Sequence, residues 1–496
     1  MLDGNPSTTN LATTVLATHP HLQHLADARC ATQPGAERGG RKFQQSLDRT
    51  TVKITLMINL PRTRYGMGPD PSRRWMTGPT IARAQRRHWQ SSARNIQQRL
   101  TFMTTLNRRQ LIKTAVATTA IGTGVNNHVQ SAETEPKRLR FAVIGCANRG
   151  AAIGGEAVRH QLTDCVALCD VVPSRAEGFK KRQKDNCTDA VIFDDFRKMF
   201  EEMGDEIDAC TIGTPDHSHF PIAMLAMSLG IHVYVEKPLA HTFEECELLM
   251  AAEKKYGVHC QMGNQGHSSG QRLQFQSWVE SGIIKNVRRV DACMNNGRRW
   301  HPWGDIKAFP AAEKMPEGMN WDTWTGTAPM HAYNSKYDPG NWRGWYDYGN
   351  GAFGDWGPHT LDTIHRFLQL GLPHTIRAEK IEKPNDFIYP HGTTIAFDFP
   401  ERGSDMPEMT INWYDGVRNR PPTGEGVKLP SCGKAIYSDD LTFVGGTHSA
   451  TLKIVGGEKQ QEVSANLPGP VTSSTSTSHM DNFLKAAAGI DPECNS

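Results

Sequence analysis

Several features that would point to other protein classes are absent from this chain of 496 residues. No run of about 18 apolar residues occurs, so the sequence gives no sign of a membrane-spanning helix. The 11 cysteines are too dilute for a disulfide scaffold, and the absence of a Cys-x-x-Cys pair excludes a thiolate zinc ribbon. With 38% hydrophobic and 22% charged residues, the composition is that of a soluble protein of two or three domains.

The formal net charge of +3 conceals two regions of opposite sign. Residues 1–102 contain 15 Lys and Arg against 5 Asp and Glu, whereas residues 133–496 contain 37 against 47. The acidic balance of the larger region gives no argument for nucleic-acid binding. Residues 1–102 show no sustained hydrophobic period and are expected to be disordered. They are either a basic arm that binds polyanions or an upstream extension from an over-long start, and the motif described next favours the second.

A segment typical of export signals occupies residues 103–132. The pair Arg108-Arg109 lies within Asn-Arg-Arg-Gln-Leu-Ile-Lys, which is similar to the twin-arginine motif. An apolar stretch at 115–125 follows, and residues 129–131 offer small side chains for a signal peptidase. The alternative is an ordinary amphipathic helix with an arginine pair. We expect a twin-arginine signal and a location in the periplasm or otherwise outside the cytoplasmic membrane.

Strand-like and helix-like segments alternate after residue 138, which predicts an α/β fold with a doubly wound parallel sheet. The predicted strands are 139–145, 165–169, 190–193, 207–212, 231–235 and 258–261, and the predicted helices are 151–160, 174–184, 196–203, 218–229 and 242–256. We assign residues 138–262 to this Rossmann domain and residues 263–496 to a second α/β domain. The chain is expected to be truncated at its C-terminus.

The turn after the first strand has the spacing of a phosphate-binding loop, with Ala147 where a full Gly-x-Gly-x-x-Gly motif has its second glycine. Gly145 permits the tight turn and Gly150 the close packing of helix on strand. Asp170 ends the second strand, where a carboxylate accepts hydrogen bonds from ribose hydroxyls and repels a 2′-phosphate. The spacing therefore favours NAD over NADP, although Arg175 lies close enough to leave NADP open.

Polar segments follow two more strands, at the sheet edge where doubly wound folds bind ligands. One is 213–219, and the other is Glu236-Lys237-Pro238. A lysine at the end of a buried strand can act as a general acid or base. The predicted cofactor contacts are Gly145, Ala147, Asn148, Arg149, Gly150, Asp170, Thr214, Pro215, Asp216, His217, Glu236 and Lys237.

Four motifs in the same order give the chain a resemblance to the glucose–fructose oxidoreductase/inositol dehydrogenase (Gfo/Idh/MocA) family over about residues 138–487. They are the glycine turn at 145–150, Thr-Pro-Asp-His at 214–217, Glu-Lys-Pro at 236–238 and Gly-Asp-Trp-Gly-Pro-His at 354–359. The resemblance implies a Rossmann domain followed by an α/β domain with an open, mostly antiparallel sheet. That sheet often forms the oligomer interface, so a homo-oligomer is expected.

The resemblance also implies that Lys237, Asp355 and His359 form the group that transfers the proton and orients the substrate. Residues i and i+4 share a helix face, and histidine can shuttle a proton near neutral pH. Because Pro358 suits a first helical turn, we expect the helix to begin near it. If the helix begins only at Pro358, Asp355 lies in the preceding loop and no longer shares a helix face with His359. No metal is expected. Two side chains further along are predicted to be structural, Asp362 and His365.

Seven tryptophans lie between Arg298 and Trp356 in a stretch without regular period. Indole rings pack against the apolar faces of sugars, and the polar neighbours can bind hydroxyls. Most of these tryptophans are expected to fill the core, and at least one is expected to line the substrate pocket. The candidate substrate contacts are Trp300, Arg343, Trp345 and Trp356.

These observations predict an exported oxidoreductase that transfers a hydride between tightly bound NAD and a sugar, polyol or sugar derivative. One alternative is a glycoside-cleaving enzyme that uses bound NAD for transient oxidation and elimination, with net hydrolysis. A second is a non-catalytic sensor of NAD and sugar. The presence of Lys237, Asp355 and His359 together argues against the sensor.

Overall fold

The structure is a computed structural model that describes residues 138–424, 427–468 and 478–491. The predicted basic extension and export signal lie outside the described residues. Within the described part of the chain, no helix combines the length and the apolar character needed to cross a membrane.

The first sheet has six parallel strands in the order β3-β2-β1-β4-β5-β6. Its strands are β1 (Leu139–Ile144), β2 (Thr163–Cys169), β3 (Val191–Phe193), β4 (Ala209–Ile212), β5 (His232–Glu236) and β6 (Cys260–Gly263). The helices between them are α1 (Asn148–Val158), α2 (Pro173–Gln183), α3 (Phe196–Met203), α4 (Asp216–Ser228) and α5 (Phe243–Tyr256). The strand order reverses between β1 and β4, which confirms the predicted doubly wound sheet.

Burial on both faces explains why these strands are continuous apolar runs rather than alternating ones. All four residues of β4 are buried, and a separate apolar core lies on each side of the sheet. This is the pattern expected of parallel strands covered by helices. Because these strands are parallel, the carboxyl ends of β1, β2, β4 and β5 lie at the same edge of the sheet.

The second sheet has seven strands in the order β13-β12-β11-β7-β10-β9-β8, and only the β7–β10 pair is parallel. Its strands are β7 (Val287–Met294), β8 (Thr375–Glu382), β9 (Gly392–Phe399), β10 (Met409–Asp415), β11 (Cys432–Ser438), β12 (Thr442–Gly445) and β13 (Lys453–Gly456). The accompanying helices are α6 (Arg272–Glu280), α7 (Trp321–Thr325), α8 (Gly351–Phe367) and α9 (Gln460–Ala465). The predicted mostly antiparallel second sheet is therefore confirmed.

The last described helix, α10 (His479–Ala487), packs against the first sheet rather than the second. Its Met480, Phe483 and Leu484 are buried in the same apolar core as Leu139 and Phe141 of β1. The predicted domain boundary at residue 263 assigns this segment to the second domain, with which it is contiguous. The apolar face of α10 is instead buried against the Rossmann domain.

Candidate active site

The glycine turn between β1 and α1 is closed too tightly for side chains at its two glycine positions. Gly145 has a φ of +88°, and a Cβ there would lie 2.7 Å from the Gly213 carbonyl oxygen. A Cβ on Gly150 would collide with the Gly145 carbonyl oxygen. Ala147 has an extended backbone with a φ of −126° and directly precedes α1, so its position does not require glycine. The departure from the full motif therefore leaves the turn intact.

Asp170 lies at the end of β2 with its carboxylate held by the backbone. Its Oδ2 accepts from the Cys146 N–H at 2.9 Å, and its Oδ1 accepts from the Val172 N–H at 3.0 Å. Burial raises the pKa of Asp170, and these hydrogen bonds oppose that shift. Arg175 lies 3.9 Å from Asp170 and makes its closer ion pair, at 2.5 Å, with Asp338. Asp170 is thus fixed where a ribose-binding carboxylate is expected.

The segment after β4 divides between the cavity and the core. Thr214, Pro215 and Asp216 line the cavity. His217 points away from it, because successive residues at a helix start project in directions about 100° apart. Its ring nitrogens lie 2.7 Å from the Trp324 carbonyl oxygen and 3.1 Å from that of Tyr348, and burial lowers its pKa to about 4. The predicted cofactor contact at His217 is wrong, since the side chain is buried between two segments of the second domain.

Asp216 connects the two domains. It accepts from Arg343 Nη1 at 3.1 and 3.2 Å and from the Asn350 N–H, directly before α8, at 3.0 Å. This buried carboxylate thereby holds the start of α8 against the Rossmann domain. On the other side of the cavity, Glu236 accepts from Arg149 Nε at 2.8 Å.

Lys237 and Asp355 meet inside the cavity. Lys237 Nζ lies 2.5 Å from Asp355 Oδ1 and 3.1 Å from the Asp355 carbonyl oxygen. The second carboxylate oxygen accepts from Arg298 Nη2, and Arg343 Nε lies 3.5 Å from Oδ1. Burial alone would raise the pKa of Asp355, but the three cations outweigh it and hold that pKa well below its usual range. Asp355 is therefore ionised and forms ion pairs with all three cations.

Helix α8 begins at Gly351 and contains Pro358 in its interior. The expectation that the helix begins near Pro358 is wrong, and Asp355 and His359 are one turn apart on the same helix. Proline removes a hydrogen bond from the helix interior, yet the helix continues through it with contacts from other parts of the chain. One of them is the bond from Asn264 Nδ2 to the Pro358 carbonyl oxygen at 3.2 Å.

His359 lies beneath the Lys237–Asp355 pair and does not line the cavity. Its Nδ1 is 3.0 Å from Asn264 Oδ1, and its ring stacks on that of His448 with centroids 4.0 Å apart. Burial, the charge of Lys237 and the neighbouring His448 lower the pKa of His359 to about 3. The imidazole is consequently neutral at neutral pH.

The cavity between these groups has a volume of about 530 Å³ and is lined from both domains. Trp300 and Trp356 line it, whereas Trp345 is fully buried with its Nε1 bonded to the Lys336 carbonyl oxygen at 2.8 Å. Trp345 is therefore a core residue and not a substrate contact. Within the described residues, Nε1 of Trp300, Nε1 of Trp356 and Nε of Arg298 are buried without a hydrogen-bond partner. Buried donors of this kind are normally satisfied, so these three are exceptions among the described residues.

Two family models match adjoining parts of the chain. Residues 139–264 match the model described as "Oxidoreductase family, NAD-binding Rossmann fold", and residues 271–387 match "Oxidoreductase family, C-terminal alpha/beta domain". Over residues 139–387, these two matches support membership of the Gfo/Idh/MocA oxidoreductase family.

Two curated proteins are similar to this chain over part of their length. An inositol 2-dehydrogenase/D-chiro-inositol 3-dehydrogenase from Lactiplantibacillus plantarum is 29% identical over 139 residues, which are 27% of this chain and 38% of the relative. A glycosyl hydrolase family 109 protein from Shewanella sp. is 25% identical over 219 residues, 40% of this chain and 48% of the relative. The chain thus spans less than half of the length of these two relatives.

Among solved structures, an NAD-binding protein from Listeria innocua is similar over 72% of this chain and 91% of that chain. The sequence identity is 16% and the TM-score is 0.49.

Three partners of the Gfo/Idh/MocA motif residues were not predicted from the sequence. Asn264 and His448 contact His359, and Arg298 binds Asp355. In the sequence, Arg298 is only one of several polar residues beside the tryptophans. Asn264 and His448 carry no local signal, because their proximity to His359 depends on how the second domain folds back.

In the described part of the chain, no group of three His, Cys, Asp or Glu side chains could hold a metal ion.

Proposed function

We propose that this protein is an NAD-dependent oxidoreductase that transfers a hydride between the nicotinamide and a sugar, polyol or sugar derivative. The observation that carries the proposal is one cavity that joins the glycine turn and Asp170 to the Lys237–Asp355 pair. Matches to both family domains and the similarity to an inositol dehydrogenase support it.

The residues around the turn fit a dinucleotide. The start of α1 has no side-chain cap, and the N-terminus of a helix is suited to a pyrophosphate. Asp170 would accept from the ribose hydroxyls, and its buried carboxylate disfavours a 2′-phosphate. Arg175 forms an ion pair with Asp338, so its guanidinium is less available to bind the 2′-phosphate of NADP. When bound, the nicotinamide supplies a hydride acceptor or donor.

Lys237 is the side chain best placed to exchange a proton with a substrate hydroxyl or carbonyl oxygen. In the described part of the chain, two of its three N–H donors go to Asp355, so the third can reach a substrate oxygen. Asp355 keeps the ammonium group in place because it stays ionised. The neutral state of His359 avoids a second positive charge beside Lys237, so we assign His359 a positioning role and Lys237 the proton transfer.

The direct test uses protein produced from Met103. Nucleotide released on denaturation is identified, and sugars and polyols are screened for a change in nicotinamide absorbance. The proposal expects NAD(H) and at least one sugar or polyol that changes the absorbance. Absence of nucleotide binding in every preparation would contradict it.

The similarity to family 109 glycosyl hydrolases favours a second candidate, glycoside cleavage through transient oxidation and elimination. The same turn, Lys237 and Asp355 would serve both reactions. Release of sugar from a glycoside without lasting change in nicotinamide absorbance would favour cleavage, whereas stoichiometric reduction of NAD would favour net oxidation.

We further propose that the protein acts outside the cytoplasmic membrane with its cofactor already bound. The motif at Arg108-Arg109 supports this location. Since no pool of free NAD is expected there, a protein acting there would need to load the cofactor before export and retain it.

A further inference from the structure

The cavity carries more positive than negative charge in the part around Asp355, where the two domains meet. Two carboxylates, Asp216 and Asp355, lie among the cations there. The four cations that line this side are Lys237, Arg298, Arg299 and Arg343. Even with both carboxylates ionised, two positive charges remain.

The other charges that line the cavity are two cations and three carboxylates, so the cavity as a whole keeps one positive charge in excess. Arg149 pairs with Glu236 at 2.8 Å. Arg175 pairs with Asp338 at 2.5 Å and lies 3.9 Å from Asp170. These five groups sit around the glycine turn and the end of β2 and are mutually engaged. The surplus is therefore confined to the part of the cavity around Asp355.

The three arginines, called here the arginine cluster (Arg298, Arg299 and Arg343), retain donors for a ligand. Among the described residues, Arg298 donates from Nη2 to Asp355, and no hydrogen bond from its Nη1 group is seen. Arg299 donates from Nη1 to the Gly340 carbonyl oxygen at 2.7 Å and, within the described chain, forms no ion pair. A guanidinium has five N–H donors in a planar fork that matches carboxylate and phosphate oxygens.

Aromatic rings stand directly beside the arginine cluster. The Arg343 guanidinium carbon lies 4.3 Å from the ring centroid of Trp342, and that of Arg298 lies 5.3 Å from Trp300. Indole faces suit the apolar face of a sugar ring, and the adjacent guanidinium groups suit an anion attached to it. A neutral sugar would instead cover the surplus charges without compensating them, which is costly in a partly buried site.

We infer that the substrate is a sugar that carries an anionic group, a carboxylate or a phosphate, which the arginine cluster binds. This inference rests on the proposed function, because it specifies the substrate class of the same cavity. It depends, however, on binding alone and can be tested without turnover.

The test is calorimetric binding of three matched probes to the NAD-loaded protein. The probes are hexoses of gluco and galacto configuration, the corresponding hexuronates, and the corresponding hexose 6-phosphates. At least one anionic series should bind at least about tenfold more tightly than its neutral hexose, as expected for one charge-assisted pair. Preference for uronates over phosphates, or the reverse, identifies the anion. Equal affinity for neutral and anionic sugars, or no binding of any, overturns the inference.

A charge variant and a matched control locate the effect. Arg299→Gln should reduce the preference for the anionic sugar about tenfold. Lys307→Gln removes the same charge from a side chain that is 84% exposed and does not line the cavity, and it should keep the preference. Equal losses in both variants would mean a diffuse field rather than a site, and would overturn the inference. Tight uronate or phosphate binding without any change in nicotinamide absorbance would contradict the proposed function and leave this inference standing.

Discussion

Lys237 Nζ and Asp355 Oδ1 lie 2.5 Å apart, although 118 positions separate the two residues in the chain. Lys237 directly follows β5 of the Rossmann domain, and Asp355 lies on α8 of the second domain. The ion pair therefore forms only when both domains are folded and in contact. This joins the cofactor-binding edge of the parallel sheet to the side chains of the second domain, as a hydride-transfer site requires.

Asp170→Ala should weaken NAD binding about tenfold or more and reduce the preference for NAD over NADP. The variant removes the carboxylate expected to accept from the ribose hydroxyls and to repel a 2′-phosphate. Equilibrium binding of NAD and NADP measures both effects. Glu177→Ala, which removes an exposed carboxylate from α2, is the control and should change neither affinity. Unchanged discrimination in Asp170→Ala would contradict the ribose assignment.

Gly150→Ala should abolish NAD binding, because the added Cβ collides with the backbone of Gly145 and forces the turn open. The matched control is Gly178→Ala in α2, where the Cβ meets only the flexible end of Arg182 at 3.3 Å. That control should bind NAD normally and gain up to about 1 kcal/mol in the free energy of unfolding. Normal NAD binding by Gly150→Ala would show that the turn does not contact the cofactor.

The carboxyl ends of the parallel strands could be predicted from the sequence, because each strand is a run of apolar residues that ends at polar ones. Gly145, Asp170, Thr214 and Lys237 therefore meet as expected from the sequence. In the second domain, no comparable sequence signal marks the residues that line the cavity. In a tryptophan-rich stretch without period, nothing local distinguishes Trp345 from its neighbours that line the cavity.

The start of α8 also could not be predicted from local sequence rules. Proline at 358 favours a helix boundary by local rules, and the structure carries the helix through it. The helix also has contacts that are distant in sequence, such as that from Asn264, which local rules do not include. Asp216 was likewise predicted only as a cofactor contact, whereas its bonds to Arg343 and to the start of α8 depend on domain packing.

Lys434→Met should raise the free energy of unfolding at pH 7 by up to about 3 kcal/mol. Lys434 is fully buried beneath α8, where Nζ donates to the Thr360 carbonyl oxygen at 2.9 Å. Burial lowers its pKa from 10.5 to about 8, against the opposing charges of Asp362 and Cys432. Between these two values the unfolded chain binds the extra proton, so this lysine makes wild-type stability rise with pH.

Urea denaturation at pH 7 and pH 10 measures the Lys434 effect. The advantage of Lys434→Met over wild type should shrink as the pH approaches 10, because the wild-type lysine is then neutral in the folded state. Equal differences at both pH values would contradict the assignment of the pH dependence to Lys434.

Exported protein should begin near Ala132 or Glu133 and should carry NAD(H) through gel filtration. N-terminal sequencing of the exported fraction and nucleotide analysis of the same material check the two statements.

Turnover should proceed without added nucleotide if a second substrate, or the same substrate after elimination, takes the hydride from the bound cofactor. Residues from 1–102 on the mature protein would contradict the over-long start, and empty protein that needs millimolar NAD would contradict cofactor retention.

The central claim, that Lys237 performs proton transfer in an NAD-binding cavity, is tested most directly by Lys237→Met. The NAD content after gel filtration and the turnover of the same preparation are measured together, with Lys307→Met as the control that removes an exposed lysine. We predict normal NAD content and a fall in kcat of about 100-fold or more, because a general acid–base group is lost while the glycine turn and Asp170 remain. Equal loss of NAD and turnover, or turnover close to wild type with NAD retained, would contradict the account.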